Sequence, residues 1–309
     1  MPSKAAFLAL SAFLATSTGS AAAAPCPSPQ YLVTFGDSYS QTGFDASLGK
    51  PTASNPLGNP ALPGWTSSGG LNYVGQLAGK TVGSGGAAPV LSYNFADGGA
   101  TTDSAVVAPY APTVRSFVDQ VAVFEATLGA RPRPDGWADW KAEDTLFGVW
   151  MGVNDVGASH WWANATGVVD AVTVRYFDGL DALYEAGARN FYLLTVPPTE
   201  RSPLMIYYNS SATLVPMLEY YRTSISSQLA VWQTSHDDAD VRIVDSVPAF
   251  NIPLDDPTSY GAPDASCYGA PGTAEGGKSC LWFNDYHPAI EIHKLVAKAV
   301  ADAWKGKFF

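Results

Sequence analysis

Short apolar segments alternate with amphipathic ones along most of the chain, and this alternation limits the possible folds more than any other feature. Five segments have the length and residue types of strands buried on both faces: YLVTFG (31–36), LSYNFA (91–96), TLFGVWMG (145–152), NFYLLTV (190–196) and VRIVDSV (241–247). Four longer segments repeat apolar residues every three or four positions, as helices do: 113–129, 170–187, 214–235 and 288–305. The alternation predicts one α/β domain whose parallel sheet is covered by helices on both faces.

The N-terminal residues have the pattern of a secretory leader. Lys4 precedes an apolar run at 5–15, and small residues suited to cleavage follow it. The run is too short to span a bilayer, which takes about 20 apolar residues, and no later segment reaches that length. We therefore expect a signal peptide at 1–24, a single domain at 25–309, and a secreted, extracellular protein without a membrane span.

Charge, cysteines and sequons agree with an extracellular location. The formal net charge of −11 argues against nucleic acid or an anionic membrane surface as a partner. In an oxidising compartment Cys267 and Cys280 are expected to form a disulfide, which leaves Cys26 without an assigned partner. Two N-x-S/T sequons, at Asn164 and Asn209, are the expected glycosylation sites.

Residues with useful chemistry follow the predicted strands. Ser38 comes just after the first strand, Gly99 after the second and Asn154 after the third, while His287 precedes the last helix. Because sites in parallel sheets lie at the carboxyl ends of the strands, these four segments should converge on one edge. The tripeptide Gly-Asp-Ser alone is equally compatible with a helix cap. The other three segments offer a base that can accept the Ser38 proton and donors that can stabilise an oxyanion. Their presence favours Ser38 as a nucleophile over a helix cap.

Four blocks of the sequence resemble those of the GDSL or SGNH hydrolases, a family named for Ser, Gly, Asn and His. The blocks are FGDS with Ser38, FADGGAT with Gly99, WMGVND with Asn154 and HP with His287. The segment at 55–78 also resembles secreted fungal members of carbohydrate esterase family 16. Those members are acetylesterases that remove acetyl groups from hemicellulose oligosaccharides.

The resemblance implies a fold and a set of residue roles. The fold would be a three-layer α/β/α sandwich with a five-stranded parallel sheet of the flavodoxin-like type, with no metal and no organic cofactor. Ser38 would be the catalytic nucleophile and His287 the catalytic base. The backbone N–H groups of Ser38 and Gly99 and the side-chain amide of Asn154 would form the oxyanion hole, with Gly98 as a competing glycine.

The third member of the catalytic group departs from the family pattern. The wider family has an aspartate three residues before the histidine, and this chain has Asn284 there, followed by Asp285. Three alternatives remain open: an irregular loop that lets Asp285 reach His287, a Ser–His pair with a backbone acceptor, or a weakened enzyme. We expect Asp285 to be the acidic partner, with Asn284 as the alternative.

These observations predict a secreted serine esterase that deacetylates acetylated hemicellulose oligosaccharides. One alternative keeps the chemistry but lengthens the acyl chain, as in a lipase or phospholipase. The other is a carbohydrate-binding protein on a hydrolase scaffold that has lost activity, which the Asn284 departure keeps open. We expect a monomer that acts on a small-molecule or oligosaccharide ester.

Overall fold

The computed structural model describes Met1, residues 30–78 and residues 89–309, so Cys26 and, apart from Met1, the predicted signal peptide at 1–24 lie outside the described residues. Five strands form one sheet: β1 (Gln30–Gly36), β2 (Val90–Asn94), β3 (Thr145–Trp150), β4 (Asn190–Leu194) and β5 (Asp240–Val244). Their order is β2-β1-β3-β4-β5, and every neighbouring pair is parallel. This is the flavodoxin-like order, and the predicted five-stranded parallel sheet is confirmed.

Helices cover both faces of the sheet. They are α1 (Tyr73–Leu77), α2 (Phe117–Ala126), α3 (Val153–Ser159), α4 (Ala165–Glu185), α5 (Pro203–Tyr207), α6 (Ser211–Trp232), α7 (Val247–Asp255) and α8 (Ile290–Ala303). Helices α1 and α7 pack against α8 on one face, and α2 and α6 pack against α4 on the other. Right-handed crossovers between parallel strands produce this division, because the chain reverses direction across the sheet after β2. The predicted three-layer α/β/α sandwich is therefore confirmed.

Four strands are buried as predicted, and β5 is not. Strands β1 to β4 are buried along most of their length, whereas β5 is only partly covered, with Ile243 exposed. The prediction that all five strands are buried on both faces was wrong for β5, which lies at one edge of the sheet and carries the charged, partly exposed side chains of Asp240 and Arg242. Strand β2 lies at the opposite edge and is buried along its whole length. Arg242 on β5 packs its guanidinium 3.9 Å from the centre of the Trp304 ring and pairs with Asp240.

The strand register brings the functional segments to one edge. Gly36, the last residue of β1, pairs with Trp150, the last residue of β3. The N–H group of Asp97, just after β2, donates to the Gly36 carbonyl at 3.1 Å. The loops that follow β1, β2 and β3 therefore start side by side. In the described part of the chain, no helix is both long and apolar enough to cross a membrane.

Candidate active site

The segment after β1 forms a tight turn that carries Ser38. The carbonyl of Asp37 accepts hydrogen bonds from the N–H groups of Ser40 and Gln41, at 3.0 and 2.9 Å. A side chain at Gly36 would collide with this turn, since a Cβ there would lie 2.6 Å from Ser40 Oγ. Ser38 is 9% exposed and lines a cleft of about 350 Å³. The nucleophile candidate therefore lies in a fixed turn with an open side.

Buried side chains from α1 and β2 hold this turn. The Asn72 amide donates to the carbonyls of Ser40 and Gln41 at 2.9 and 2.8 Å, and the Asn94 amide donates to the Ser40 carbonyl at 2.7 Å. The hydroxyls of Tyr73 and Ser40 are 3.0 Å apart. Buried hydrogen bonds of this kind are expensive to leave unmade, so they fix the turn relative to the sheet.

His287 lies between Ser38 and Asn284, in the loop before α8. Its Nε2 is 2.8 Å from Ser38 Oγ, and its Nδ1 is 2.8 Å from Asn284 Oδ1. Asn284 Oδ1 also accepts the backbone N–H groups of Tyr286 and His287, at 2.9 and 2.8 Å. Backbone N–H groups only donate, so this atom must be the amide oxygen, and Nδ1 must carry a proton. Nε2 is then the unprotonated nitrogen, which can accept the proton of Ser38.

Asn284, rather than Asp285, contacts the imidazole, which corrects the preference for Asp285 drawn from the sequence. Among the described residues, no hydrogen bond joins the Asp285 side chain to His287. Asp285 instead lines a separate cavity of about 420 Å³. The cause is local: the Asn284 oxygen caps the two N–H groups that follow it in an Asx-type turn, which directs residue 284 toward the ring.

Burial sets the protonation state of His287. It lowers the pKa of the imidazole to about 4, and the charge of Asp285 opposes this shift only in part. Above that pH the ring is neutral, as a general base must be. Tyr39 packs against the ring, with 5.6 Å between ring centres, and donates its hydroxyl to the Tyr286 carbonyl at 2.6 Å. The histidine loop is thus attached to the nucleophile turn.

Donors suited to an oxyanion surround Ser38. Within the described chain, no backbone acceptor takes the N–H groups of Ser38 or Gly99. Asn154, at the start of α3, donates one amide hydrogen to the Ala100 carbonyl at 2.9 Å and keeps a second one available. Gly99 has a φ of +84°, and a Cβ there would collide with the ring of Tyr110. Only glycine fits this position, and both Gly99 and Asn154 line the cleft.

Two buried carboxyl groups lie next to these residues. Asp37 Oδ1 accepts the N–H group of Tyr39 at 2.9 Å, and Asp155 accepts the N–H group and the hydroxyl of Thr102 at 2.8 and 3.2 Å. Burial raises the pKa of Asp37 to about 7 and that of Asp155 to about 6. The sequence analysis did not single out either of these carboxyl groups, although Asp155 directly follows Asn154 in the third block.

The remaining predicted sites lie away from this cleft. Cys267 and Cys280 form a disulfide in the structure. Asn164 lies just before α4 and Asn209 just before α6, and both are exposed. In residues 30–78 and 89–309, no group of three or more His, Cys, Asp or Glu side chains is arranged to hold a metal ion.

Comparisons with known proteins show what the whole chain is similar to. The family model described as GDSL-like Lipase/Acylhydrolase matches residues 32–300. A curated acetylesterase of Thermothelomyces thermophilus is 50% identical over 98% of this chain and 99% of its own length. An acetylesterase of Hypocrea jecorina is 23% identical over 90% of this chain and 89% of its own length. Axe2, an acetylxylan esterase from Geobacillus stearothermophilus, has a TM-score of 0.51 at 15% identity, covering 92% of this chain and 97% of that one.

The fold and the match together define an enzyme that hydrolyses carboxylic esters. The chain belongs to the family of GDSL-like lipases and acylhydrolases, because the family model spans most of its length and a relative shares half of its residues. The predicted family and enzyme class are confirmed, and the alternative of an inactive binding protein is not supported. Both curated relatives named above are acetylesterases.

Proposed function

We propose that this esterase removes acetyl groups from acetylated hemicellulose oligosaccharides, as carbohydrate esterases of family 16 do. The observation that carries the proposal is the hydrogen-bonded series from Asn284 through His287 to Ser38, with 2.8 Å at each step. The polar side chains of Gln41 and Ser67 line the cleft near Ser38. The acetylesterase activity named for both curated relatives favours an acetyl group over the substrates of a lipase or phospholipase.

The first half-reaction forms an acyl-enzyme. Ser38 Oγ attacks the ester carbonyl carbon while His287 Nε2 accepts the Oγ proton. The carbonyl oxygen becomes an oxyanion, which accepts hydrogen bonds from the N–H groups of Ser38 and Gly99 and from the second amide hydrogen of Asn154. The intermediate then collapses: the bond to the sugar oxygen breaks, and the sugar leaves as an alcohol with the proton from His287.

Water completes the cycle through the same groups. His287 Nε2 accepts a proton from a water molecule, whose oxygen attacks the acetyl carbonyl of the acyl-enzyme. The same three donors stabilise the second oxyanion. The bond to Ser38 Oγ then breaks, acetic acid is released, and the proton returns from His287 to Ser38. Asn284 keeps Nδ1 protonated throughout, so Nε2 always faces the reaction.

Hydrolysis of 4-nitrophenyl acetate and 4-nitrophenyl octanoate tests both the nucleophile and the acyl preference. The wild-type protein should turn over the acetate ester much faster than the octanoate ester. Ser38→Ala should lose at least about 1,000-fold in kcat, because the oxyanion donors alone retain only a small part of the rate enhancement. Asn164→Gln, which changes an exposed residue outside the cleft, is the control variant.

Preference for octanoate would contradict the acetylesterase and support the lipase alternative. Turnover that survives Ser38→Ala would contradict the assignment of the nucleophile. Labelling by a fluorophosphonate should follow the same pattern, with stoichiometric reaction of the wild type and none of Ser38→Ala.

We also propose a secreted, extracellular protein with a signal peptide at 1–24 and one monomeric domain at 25–309. The disulfide between Cys267 and Cys280 supports passage through an oxidising compartment. The exposure of Asn164 and Asn209 suits glycosylation on the same route. Mass spectrometry of the mature secreted protein would test the cleavage site and both sequons.

A further inference from the structure

The cleft at Ser38 continues into a groove that deacetylation itself does not require. A second cavity, of about 330 Å³, adjoins the cleft, and the two share one wall made of Gly99, Tyr110, Asn154 and Tyr286. Ser38 and His287 line the first cavity and not the second. An acetyl group bound at Ser38 would leave this second space empty. A larger part of the substrate can therefore extend into it.

The groove extends beyond the second cavity as well. A third cavity, of about 520 Å³, shares Gly157, Trp161 and Met205 with the second. Its far side carries hydroxyl groups, from Tyr208, Ser210 and Thr213. Three connected cavities thus form one groove, with the candidate nucleophile at one end, an aromatic surface in the middle and polar groups at the other end.

Trp161 is the main aromatic surface of this groove. Its side chain is 60% exposed, although a large apolar ring is usually withdrawn from water. The ring packs edge to face against His160, with 4.7 Å between ring centres. His160 is buried and its Nδ1 is 2.8 Å from Thr213 Oγ1 on α6. A buried, hydrogen-bonded residue therefore supports the exposed indole in one orientation.

Small residues keep the groove open beside Trp161. Gly157 lies on α3, one turn before the tryptophan, and lines both outer cavities. A Cβ there would lie 2.8 Å from the hydroxyl of Tyr286. A larger residue at 157 would thus press on a side chain that also lines the cleft at Ser38. The α3 segment that positions Asn154 also forms the floor of the groove.

We propose that this groove binds the sugar chain of the substrate on the leaving-group side, with one pyranose ring stacked on Trp161. The proposal rests on the proposed function, since it concerns the alcohol part of the same ester. A pyranose ring presents C–H bonds on its faces and hydroxyl groups around its rim. An exposed indole suits the faces, and the hydroxyl groups of the third cavity suit the rim. The enzyme should therefore prefer oligosaccharide esters to monosaccharide esters.

Substitution of Trp161 tests this preference. Kinetics are compared for acetylated xylotetraose and for 4-nitrophenyl acetate, which is too small to reach from Ser38 to the third cavity. Trp161→Ala should lower kcat/KM for the acetylated tetraose about threefold to tenfold more than for the nitrophenyl ester, the loss expected for one aromatic contact. The loss should lie mainly in KM, because the contact is made before and during the chemical step.

Two further variants decide whether the aromatic surface is the cause. Trp161→Phe keeps a ring at this position and should restore most of the preference for the tetraose. Trp162→Ala is the matched control, since the neighbouring tryptophan is 41% exposed but does not line these cavities. Trp162→Ala should change neither the activity nor the ratio of the kcat/KM values for the acetylated tetraose and the nitrophenyl ester.

Three results would overturn the inference: equal loss on both substrates in Trp161→Ala, no loss on either, or a matching loss of preference in Trp162→Ala. Faster hydrolysis of 4-nitrophenyl octanoate than of the acetylated tetraose by the wild-type protein would also overturn it, because the groove would then serve an acyl chain. Absence of Ser38-dependent hydrolysis of 4-nitrophenyl acetate would instead contradict the proposed function itself, and the inference with it.

Discussion

Asn284 stands where the wider family has an aspartate, and it supplies the hydrogen bond without the charge. Asn284→Ala removes the acceptor of Nδ1–H and two backbone hydrogen bonds, so kcat should fall by about 100-fold to 1,000-fold. Asn284→Asp keeps the acceptor and adds a negative charge that favours the imidazolium. It should raise kcat and move the acidic limb of the pH–rate profile to higher pH, by about 1–3 pH units.

The direction of this pH shift follows from the protonation state of the His287 imidazole. Burial lowers the pKa of His287 to about 4, so the wild-type base is neutral and competent at all higher pH values. A carboxylate at position 284 raises that pKa, so the base becomes protonated, and inactive, at a higher pH than in the wild type. Profiles of kcat/KM between pH 3 and pH 8 measure the shift.

Asp285→Ala is the matched control for these variants. Its side chain lies outside hydrogen-bond contact with the ring, and only its charge acts on His287. Activity at pH 7 should therefore change little. A loss larger than that of Asn284→Ala would contradict the arrangement in the structure and return Asp285 to the role expected from the sequence.

At the scale of single residues, the sequence predicted the site residues whose roles few other residue types can fill. Ser38, Gly99, Asn154 and His287 were located by their spacing after the strands and by resemblance, and the structure brings them into one cleft. The choice between Asn284 and Asp285 depends on the course of an irregular loop. Helical spacing gives no information about a capped turn, so sequence reasoning could not make that choice.

Among the elements, the turn after β1 and the loop before α8 are held together by Tyr39. Tyr39→Phe removes the hydroxyl that donates to the Tyr286 carbonyl at 2.6 Å and leaves a partly buried acceptor unpaired. The free energy of unfolding should fall by about 1 kcal/mol. Because this contact positions His287, kcat should fall severalfold with little change in KM. Thermal unfolding and steady-state kinetics on 4-nitrophenyl acetate measure the two effects.

Tyr220→Phe provides the comparison, since it also removes a tyrosine hydroxyl that donates 2.8 Å to a side chain, Asp170, but at the surface of α6. It should leave kcat unchanged. If both variants reduce kcat equally, Tyr39 does not position the histidine. If Tyr39→Phe loses stability and keeps full activity, the contact supports the fold alone.

Helix prediction succeeded for the long helices and failed for the short ones. The segments predicted as helices at 170–187 and 214–235 correspond to α4 and α6, because several turns are needed to show a period of 3.6 residues. Helices α3 and α5 have seven and five residues, too few to reveal a period. Yet α3 carries Asn154 and borders the groove, so the functionally important helix was the less visible one.

On the scale of the whole molecule, the alternation of strands and helices was enough to predict the sheet and its two covering layers. What it could not predict is how far the cleft extends, because the groove is formed by residues from α3, α5 and α6 that meet only in the folded chain. Nor did it reveal that the carboxyl group of Asp37 is buried beneath the nucleophile turn. Burial depends on packing from both faces, which a local pattern does not contain.

That buried carboxyl makes the stability of the molecule depend on pH. Burial raises the pKa of Asp37 to about 7, whereas an unfolded aspartate titrates near its ordinary value of about 4. Between these values the native state holds a proton that the unfolded state has lost. The contribution of Asp37 to stability therefore falls as pH rises from about 4 to about 7, by an amount on the order of a few kcal/mol.

Asp37→Asn removes this titration while keeping an oxygen that can accept the N–H group of Tyr39. The difference in unfolding free energy between variant and wild type should grow in favour of the variant from pH 4 to pH 8. Urea unfolding at several pH values measures it, and Asp135→Asn, which removes an exposed carboxylate, is the control for the loss of one charge. A constant difference across this range would mean that Asp37 ionises in the native state as it does in the unfolded chain. The nucleophile turn would then tolerate a charge beneath it.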